Sequence, residues 1–310
     1  MDFMKKIVVI LLCLCGFVSV AIAQKPQTYL FAKRDTCNLY MDVYHADAAR
    51  NNHCCIIYVF GGGFMSGARN MPDVVEYAQA LNRKGYTVVA IDYRLGLKNI
   101  HKMDVSVVKI LENAIHIAVE DLYSSVEYIL NHPTVFDIKT DKIVLCGSSA
   151  GAITVLQADY ELCNRTKLAE KLPEDFHFGG VISFAGAIFS REGKVNYNFN
   201  PPAPTFFLHG MNDRLVTYKQ IRFANLGFFG AQPLVKRFEK FDYPYLVRRY
   251  EGIGHEVASF MLPEIDITDW FIRNYVMSGS FLQIDQYYND PAIKKYSYGS
   301  IKPSELYKEE

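Results

Sequence analysis

Ser149 stands at the centre of Gly147-Ser148-Ser149-Ala150-Gly151, directly after the apolar run Ile143-Val144-Leu145-Cys146. A serine flanked this way suits nucleophilic chemistry: glycines two residues to either side let the chain turn sharply from strand to helix and hold the hydroxyl clear of the sheet. The pattern alone is weak, because a Gly/Ser turn with no chemistry has the same composition. A second feature sharpens it. Phe60-Gly61-Gly62-Gly63-Phe64 closes an earlier apolar run. Three glycines leave backbone N–H groups unobstructed, as the stabilisation of a developing oxyanion requires. A flexible turn is the structural alternative, and a phosphate cradle is disfavoured because no Lys-Ser/Thr pair follows.

Both motifs need elements to position them. Continuous apolar runs at Cys54–Phe60, Gly85–Asp92, Lys142–Gly147, Gly179–Gly186, Thr205–Gly210 and Tyr245–Tyr250 predict strands buried on both faces. Leu39–Asp47 alternates in part and predicts an edge strand. Between them, Met71–Lys84, Val107–Asn131, Ala150–Cys163, Tyr218–Phe229 and Glu256–Val276 are expected to be helical, the first opening on Pro72 and the second ending before Pro133. Strands alternating with helices give an α/β fold, a mostly parallel sheet with helices on both faces and its site at the carboxyl ends of the strands. No linker-like break appears, so residues 24–310 read as a single domain, with the polar, tyrosine-rich tail 278–310 unassigned.

With these motifs placed, the chain resembles the α/β-hydrolases of the carboxylesterase and hormone-sensitive-lipase-like group, in particular exported esterases that remove acetyl or feruloyl groups from glycans or cleave simple esters. The resemblance is carried by VFGGGF at 59–64, AIDYRL at 90–95, AVEDLYSSVEYI at 118–129, DKIVLCGSSAG at 141–151, LHGMNDRLV at 208–216 and GIGHEV at 252–257. Phe60 departs from it, since the group usually has histidine before the three glycines. The resemblance implies an α/β-hydrolase fold with a minimal lid, because the segment from Ala187 to Pro204 is short. It also implies the order nucleophile, acid, base along the chain.

Three histidines follow Ser149. His177 comes too early for that order. His209 precedes the candidate acid, and the resemblance implies a structural role there. His255, in Gly-Ile-Gly-His-Glu after the last expected strand, is the candidate general base. Asp213, three residues past Gly210, is the candidate acid that orients the imidazole; its alternative role is a helix cap, and Asn212, Glu239, Asp242 and Glu251 are weaker candidates. The expected chemistry is attack of Ser149 on an ester carbonyl through an acyl-enzyme. Ala150 donates to the oxyanion, and the resemblance adds Gly62 and Gly63. Phe64, Tyr93 and Phe189 are candidate pocket residues, although aromatics at strand ends are commonly core, and the stretch Asn225–Lys240 is a candidate pocket wall. Arg94 and Asp121 are expected either to pair as a brace behind the glycine loop or to form a solvated surface pair. The scheme calls for no metal or organic cofactor. Two other readings share parts of the pattern: a serine peptidase of prolyl-oligopeptidase type, and a catalytically inactive hydrolase-fold binding protein.

Composition narrows the partners. The chain has 310 residues with 33 basic and 33 acidic side chains, and this balance argues against a nucleic-acid surface, which needs a basic stripe. Lys5 and Lys6 precede an apolar stretch ending in Ala21-Ile22-Ala23, which predicts a signal peptide over residues 1–23, an exported protein, and no stable membrane insertion after cleavage. An uncleaved anchor is the alternative. Cys13 and Cys15 follow bulky leucines, which disfavours lipidation. Five cysteines remain after position 23, an odd number that gives no disulfide framework, and none has zinc-ligand spacing. The expected partner is therefore a small-molecule or glycan ester.

Overall fold

A strand that is apolar on both faces is stable only with neighbours on either edge and cover above and below. The computed structural model, which describes residues 25–98, 100 and 107–293, satisfies this. The expected leader at 1–23 and the end of the tail, from residue 294, lie outside the described residues. The strands are β1 (Gln27–Lys33), β2 (Asn38–Tyr44), β3 (Cys55–Val59), β4 (Thr87–Ile91), β5 (Ile143–Ser148), β6 (Gly180–Phe184), β7 (Ile188–Ser190), β8 (Thr205–Gly210), β9 (Gln220–Phe223), β10 (Leu226–Phe229), β11 (Tyr245–Tyr250) and β12 (Gln283–Tyr288). Nine form one sheet in the order β1-β2-β4-β3-β5-β6-β8-β11-β12. From β4 to β12 all neighbours are parallel, and only β1 and β2 run against their partners. Every residue of β3, β4, β5, β6 and β8 is buried, as their unbroken apolar runs require.

The principal helices are α1 (Pro72–Arg83), α2 (Val107–Asn131), α3 (Ala150–Cys163), α4 (Ala231–Lys240) and α5 (Ile265–Phe271). Proline in the first turn of α1 costs no helix hydrogen bond there. Every residue of α3 is buried, because α3 packs against α2, β5, β6 and β7 together. Its apolar residues therefore lie on every face rather than in one amphipathic stripe, and its buried Gln157 and Asp159 are hydrogen-bonded. Cys54, Cys55 and Cys146 are fully buried as small apolar residues, and all five cysteines among the described residues are free thiols.

The structure corrects several expected elements. Tyr218–Phe229 is not a helix. It forms the hairpin β9–β10, which pairs with β7 in a separate three-stranded sheet. Gln-Ile-Arg-Phe and Leu-Gly-Phe-Phe suit strands, Ala224 takes the left-handed turn conformation at φ 51°, and a Cβ at Gly227 would meet Arg222 Cγ at 2.8 Å. Glu256–Val276 is not one continuous helix. Residues His255–Ser259 make a 3₁₀ turn, Pro263 interrupts, and α5 then runs into a π-helical turn at Ile272–Met277. The strand at 39–47 is not at the edge, because β1 covers β2. The unassigned tail supplies β12, which pairs with β11 in parallel as the far edge strand.

Asp159 lies within fully buried α3 and accepts a hydrogen bond from the Ala203 amide at 3.1 Å, where the chain enters β8. Burial, only partly offset by that bond, pushes its carboxyl up from 3.8 to about 7. A folded-state value above the unfolded one means that this group's stabilisation is complete below the unfolded value and is lost as pH rises toward 7. Wild type should therefore lose stability relative to Asp159→Asn between about pH 4 and 7, by on the order of 4 kcal/mol if the whole shift is expressed. Denaturant midpoints of the two proteins across that range test this; a difference that does not change with pH would refute it.

Candidate active site

The Gly147–Gly151 segment links β5 to α3 in very little space. A Cβ at Gly147 would come within 2.4 Å of Gly151 carbonyl atoms, and one at Gly151 within 2.0 Å of the Val59 oxygen. Both glycines are therefore dictated by the close approach of helix to sheet. Between them Ser149 adopts φ 51°, ψ −116°, a conformation that a non-glycine residue rarely takes. Its amide is held by the Phe184 carbonyl at 2.9 Å, and its own carbonyl starts the helix by accepting from Ile153 N at 2.9 Å. Gly151→Val should prevent this turn from closing. A soluble protein retaining wild-type thermal stability would contradict that packing argument.

Two further loops converge on Ser149. The first follows β8, where Asp213 turns back with its amide on the Gly210 carbonyl at 3.1 Å. The second follows β11 and carries His255 at the start of the 3₁₀ turn. Backbone bonds join them: Met211 N to Tyr250 O and Asn212 N to Ile253 O, each 2.9 Å. A Cβ at Gly210 would meet the Gly254 oxygen at 2.0 Å, so only glycine lets the loops touch there. Gly254 N also donates to the Glu256 carboxylate at 2.7 Å, which fixes the peptide just before His255.

The result is a continuous hydrogen-bonded chain. Ser149 Oγ lies 2.8 Å from His255 Nε2, and His255 Nδ1 lies 2.8 Å from Asp213 Oδ2. The Asp213 carboxylate is wholly buried, and His255 keeps 12% of its side chain exposed, so the imidazole faces the outside and the acid lies behind it. Asp213 Oδ1 accepts from Leu215 N at 2.9 Å and Val216 N at 3.0 Å. Burial opposes ionisation of this carboxyl, but the bonds from His209 and His255 outweigh it and hold the group down at about 2.

The structure gives His209 a place that the sequence did not show. It is buried, with Nε2 3.0 Å from the Val216 carbonyl and 3.3 Å from Asp213 Oδ2, so it backs the acid instead of serving the serine. Ser148 was also missed: its hydroxyl donates to the Ala258 carbonyl at 2.6 Å and ties the elbow to the histidine turn. The contact of Ser148 has no signature in local spacing, its partner lying 110 residues on. His177, expected to lie outside the site, lies 3.3 Å from the nearby Asp175 carbonyl through its Nδ1.

The glycine loop abuts the elbow. A Cβ at Gly61 would lie 3.3 Å from Ser149 Cβ. Gly62 and Gly63 have φ 111° and 63°, and Met65 N and Ser66 N both fold back onto the Gly62 carbonyl at 3.0 and 3.1 Å. The N–H groups of Gly62, Gly63 and Ala150 donate to no other described residue. The three aromatics considered for a pocket are buried in the core. Phe64 and Tyr93 pack around the glycine loop, and Phe189 pairs across β7–β10 with Phe228, ring centroids 5.3 Å apart. Arg94 and Asp121 form the brace and not a solvated pair: Asp121 is fully buried, held by the Arg94 guanidinium at 2.8 Å and by Arg34 at 2.9 Å.

This sheet order, the strained serine between β5 and α3, and the acid and histidine on the turns after β8 and β11 define an α/β-hydrolase fold bearing a serine-hydrolase site. The comparisons agree on the fold. A family model described as BD-FAE matches residues 41–188, which include the glycine loop and the elbow. Among solved structures, Thermogutta terrifontis esterase 2 phosphoramylated by tabun superposes with a TM-score of 0.59 at 18% identity, covering 84% of this chain and 97% of that one. The propionate-bound form of the Thermogutta terrifontis esterase gives 0.58 at 18% identity over 84% and 97%. The butyrate-bound form gives 0.57 at 16% over 84% and 96%. No curated protein matches the chain.

Proposed function

We propose that the protein is a serine esterase that hydrolyses short-chain carboxylic esters through an acyl-enzyme on Ser149. The observation that carries this reading is the 2.8 Å contact between Ser149 Oγ and His255 Nε2, with Asp213 on the other ring nitrogen at the same distance. Nε2 takes the serine proton as Oγ attacks the ester carbonyl. The N–H groups of Ala150, Gly62 and Gly63 receive the oxyanion. The imidazolium then gives its proton to the departing alcohol, and water activated by the same base releases the acid. Asp213 holds the tautomer and balances the imidazolium charge.

Short acyl chains are supported by the structural neighbour, whose solved forms hold propionate and butyrate. The basic, apolar leader that ends in Ala-Ile-Ala supports an extracytoplasmic substrate, and acetylated or feruloylated glycans are the substrate class we favour. A p-nitrophenyl ester series should give the highest kcat/KM at acetate to butyrate and fall beyond. A maximum at long chains would defeat the short-chain reading, and hydrolysis of proline-containing amides in preference to esters would replace the esterase reading with a peptidase one.

A further inference from the structure

A run of three glycines is the backbone least suited to holding amide donors in place, because glycine loses the most conformational freedom on being fixed. An oxyanion site gains its effect from donors already set before reaction. Something rigid must therefore fix this loop. Tyr93 meets that description. It follows β4 and is 4% exposed, and its hydroxyl donates to the Phe60 carbonyl at 3.0 Å. Its ring packs against Phe60, with centroids 4.5 Å apart, and edge-on against Phe64 at 6.3 Å. Those are the two residues that flank Gly61-Gly62-Gly63. The Phe60 carbonyl is also pressed on the elbow, since a Cβ at Gly151 would come within 2.6 Å of it.

The residues on either side of Tyr93 are anchored in turn. Asp92 exchanges backbone and side-chain bonds with Tyr40 at 2.9 and 3.1 Å and accepts from Arg69 at 2.7 Å. The Arg94 amide donates to buried Asp121 at 2.9 Å. Tyr93 is thus mounted on a fixed rail between two buried or half-buried carboxylates, with its hydroxyl on the peptide that enters the glycine loop.

We propose that Tyr93 is a positioning residue that sets the Gly62 and Gly63 amides for the oxyanion, acting through the Phe60 carbonyl. This rests on the serine-esterase reading above. The hydroxyl makes no contact with substrate in this scheme. Its removal frees the Phe60 peptide to rotate, and the glycine amides lose their aim while the ground-state site stays intact.

The test is Tyr93→Phe, which keeps the ring and deletes one oxygen. For p-nitrophenyl acetate, kcat should fall about 10- to 100-fold with KM changed less than about twofold. Affinity for a phenylboronic acid, whose tetrahedral adduct on Ser149 mimics the transition state, should fall by a matching factor. Tyr86→Phe is the control, since it deletes another largely buried hydroxyl, bonded to Asp269 at 2.5 Å, and should leave both readouts unchanged. Should Tyr93→Phe not fold, Asp121→Asn loosens the same rail from behind and should move kcat and boronate affinity in the same direction. Unchanged kcat, or a loss of kcat with boronate affinity intact, would overturn the proposal. A wild-type protein whose ester hydrolysis survives Ser149→Ala would instead overturn the underlying functional reading, and it is measured first.

Discussion

Ser149→Ala should lower kcat for short-chain esters by about 10⁵- to 10⁶-fold, leaving only what the oxyanion donors and binding achieve without a nucleophile. The neighbouring hydroxyl offers no substitute. Ser148 is buried and its hydroxyl proton is committed to the Ala258 carbonyl at 2.6 Å, whereas it is Ser149 Oγ that lies 2.8 Å from His255 Nε2. The fold should survive the change, because alanine keeps the Cβ that the elbow already accommodates at φ 51°. Stopped-flow or long-time-course hydrolysis together with a thermal unfolding scan measures both parts. Retention of more than about a thousandth of the wild-type kcat would require another nucleophile.

Asp213→Asn should lower kcat by about 10⁴-fold with little change in KM. Oδ1 accepts two backbone amides at 2.9 and 3.0 Å, so the asparagine oxygen keeps that position and its NH₂ takes the place of Oδ2 against His255 Nδ1. Nδ1 must then accept, the ring proton moves to Nε2, and the lone pair needed to take the Ser149 proton is gone. The same NH₂ faces His209 Nε2, which already donates toward the Val216 carbonyl at 3.0 Å, so the variant also puts two donors face to face in a buried site. The carboxyl's low value of about 2 adds a pH signature. A depressed folded-state value contributes stability above the unfolded 3.8 that is lost as pH falls through about 2. The stability advantage of wild type over Asp213→Asn should therefore shrink between about pH 4 and 2, and any acid limb of the rate profile above pH 4 belongs to another group. Urea unfolding of both proteins through that range checks the first statement, and a gap that widens on acidification would contradict it.

Much of this architecture was legible one segment at a time. The strands at 54–60, 85–92, 142–147, 205–210 and 245–250 announce themselves because a strand buried on both faces is mostly apolar, and the sheet places all of them, Arg248 and Arg249 in the last being paired with Glu264 and Asp285. The helices at 107–131 and 150–163 carry their own boundaries. The hairpin at 220–229 did not announce itself. Its short apolar spacing also fits a helix, and what makes it a hairpin is the edge of β7 thirty to forty residues earlier. Likewise Gln283–Tyr288, half polar by composition, is a strand only because β11 offers a parallel edge.

The sequence alone determined the chemistry on offer: a serine in a turn that only glycines permit, three consecutive unhindered amides, and an aspartate and a histidine in the right order behind them. These are local properties, set by the shape of a few neighbouring residues. The tertiary structure alone decided which groups meet. The contacts of Ser148 with Ala258 and of Tyr93 with the Phe60 carbonyl join positions 110 and 33 residues apart, brought together by the order of strands in the sheet, while His209 meets Asp213 four residues on because the chain turns back after β8. Local spacing records which face of an element is apolar. It does not record which loop the sheet order brings alongside, because that depends on every strand pairing at once.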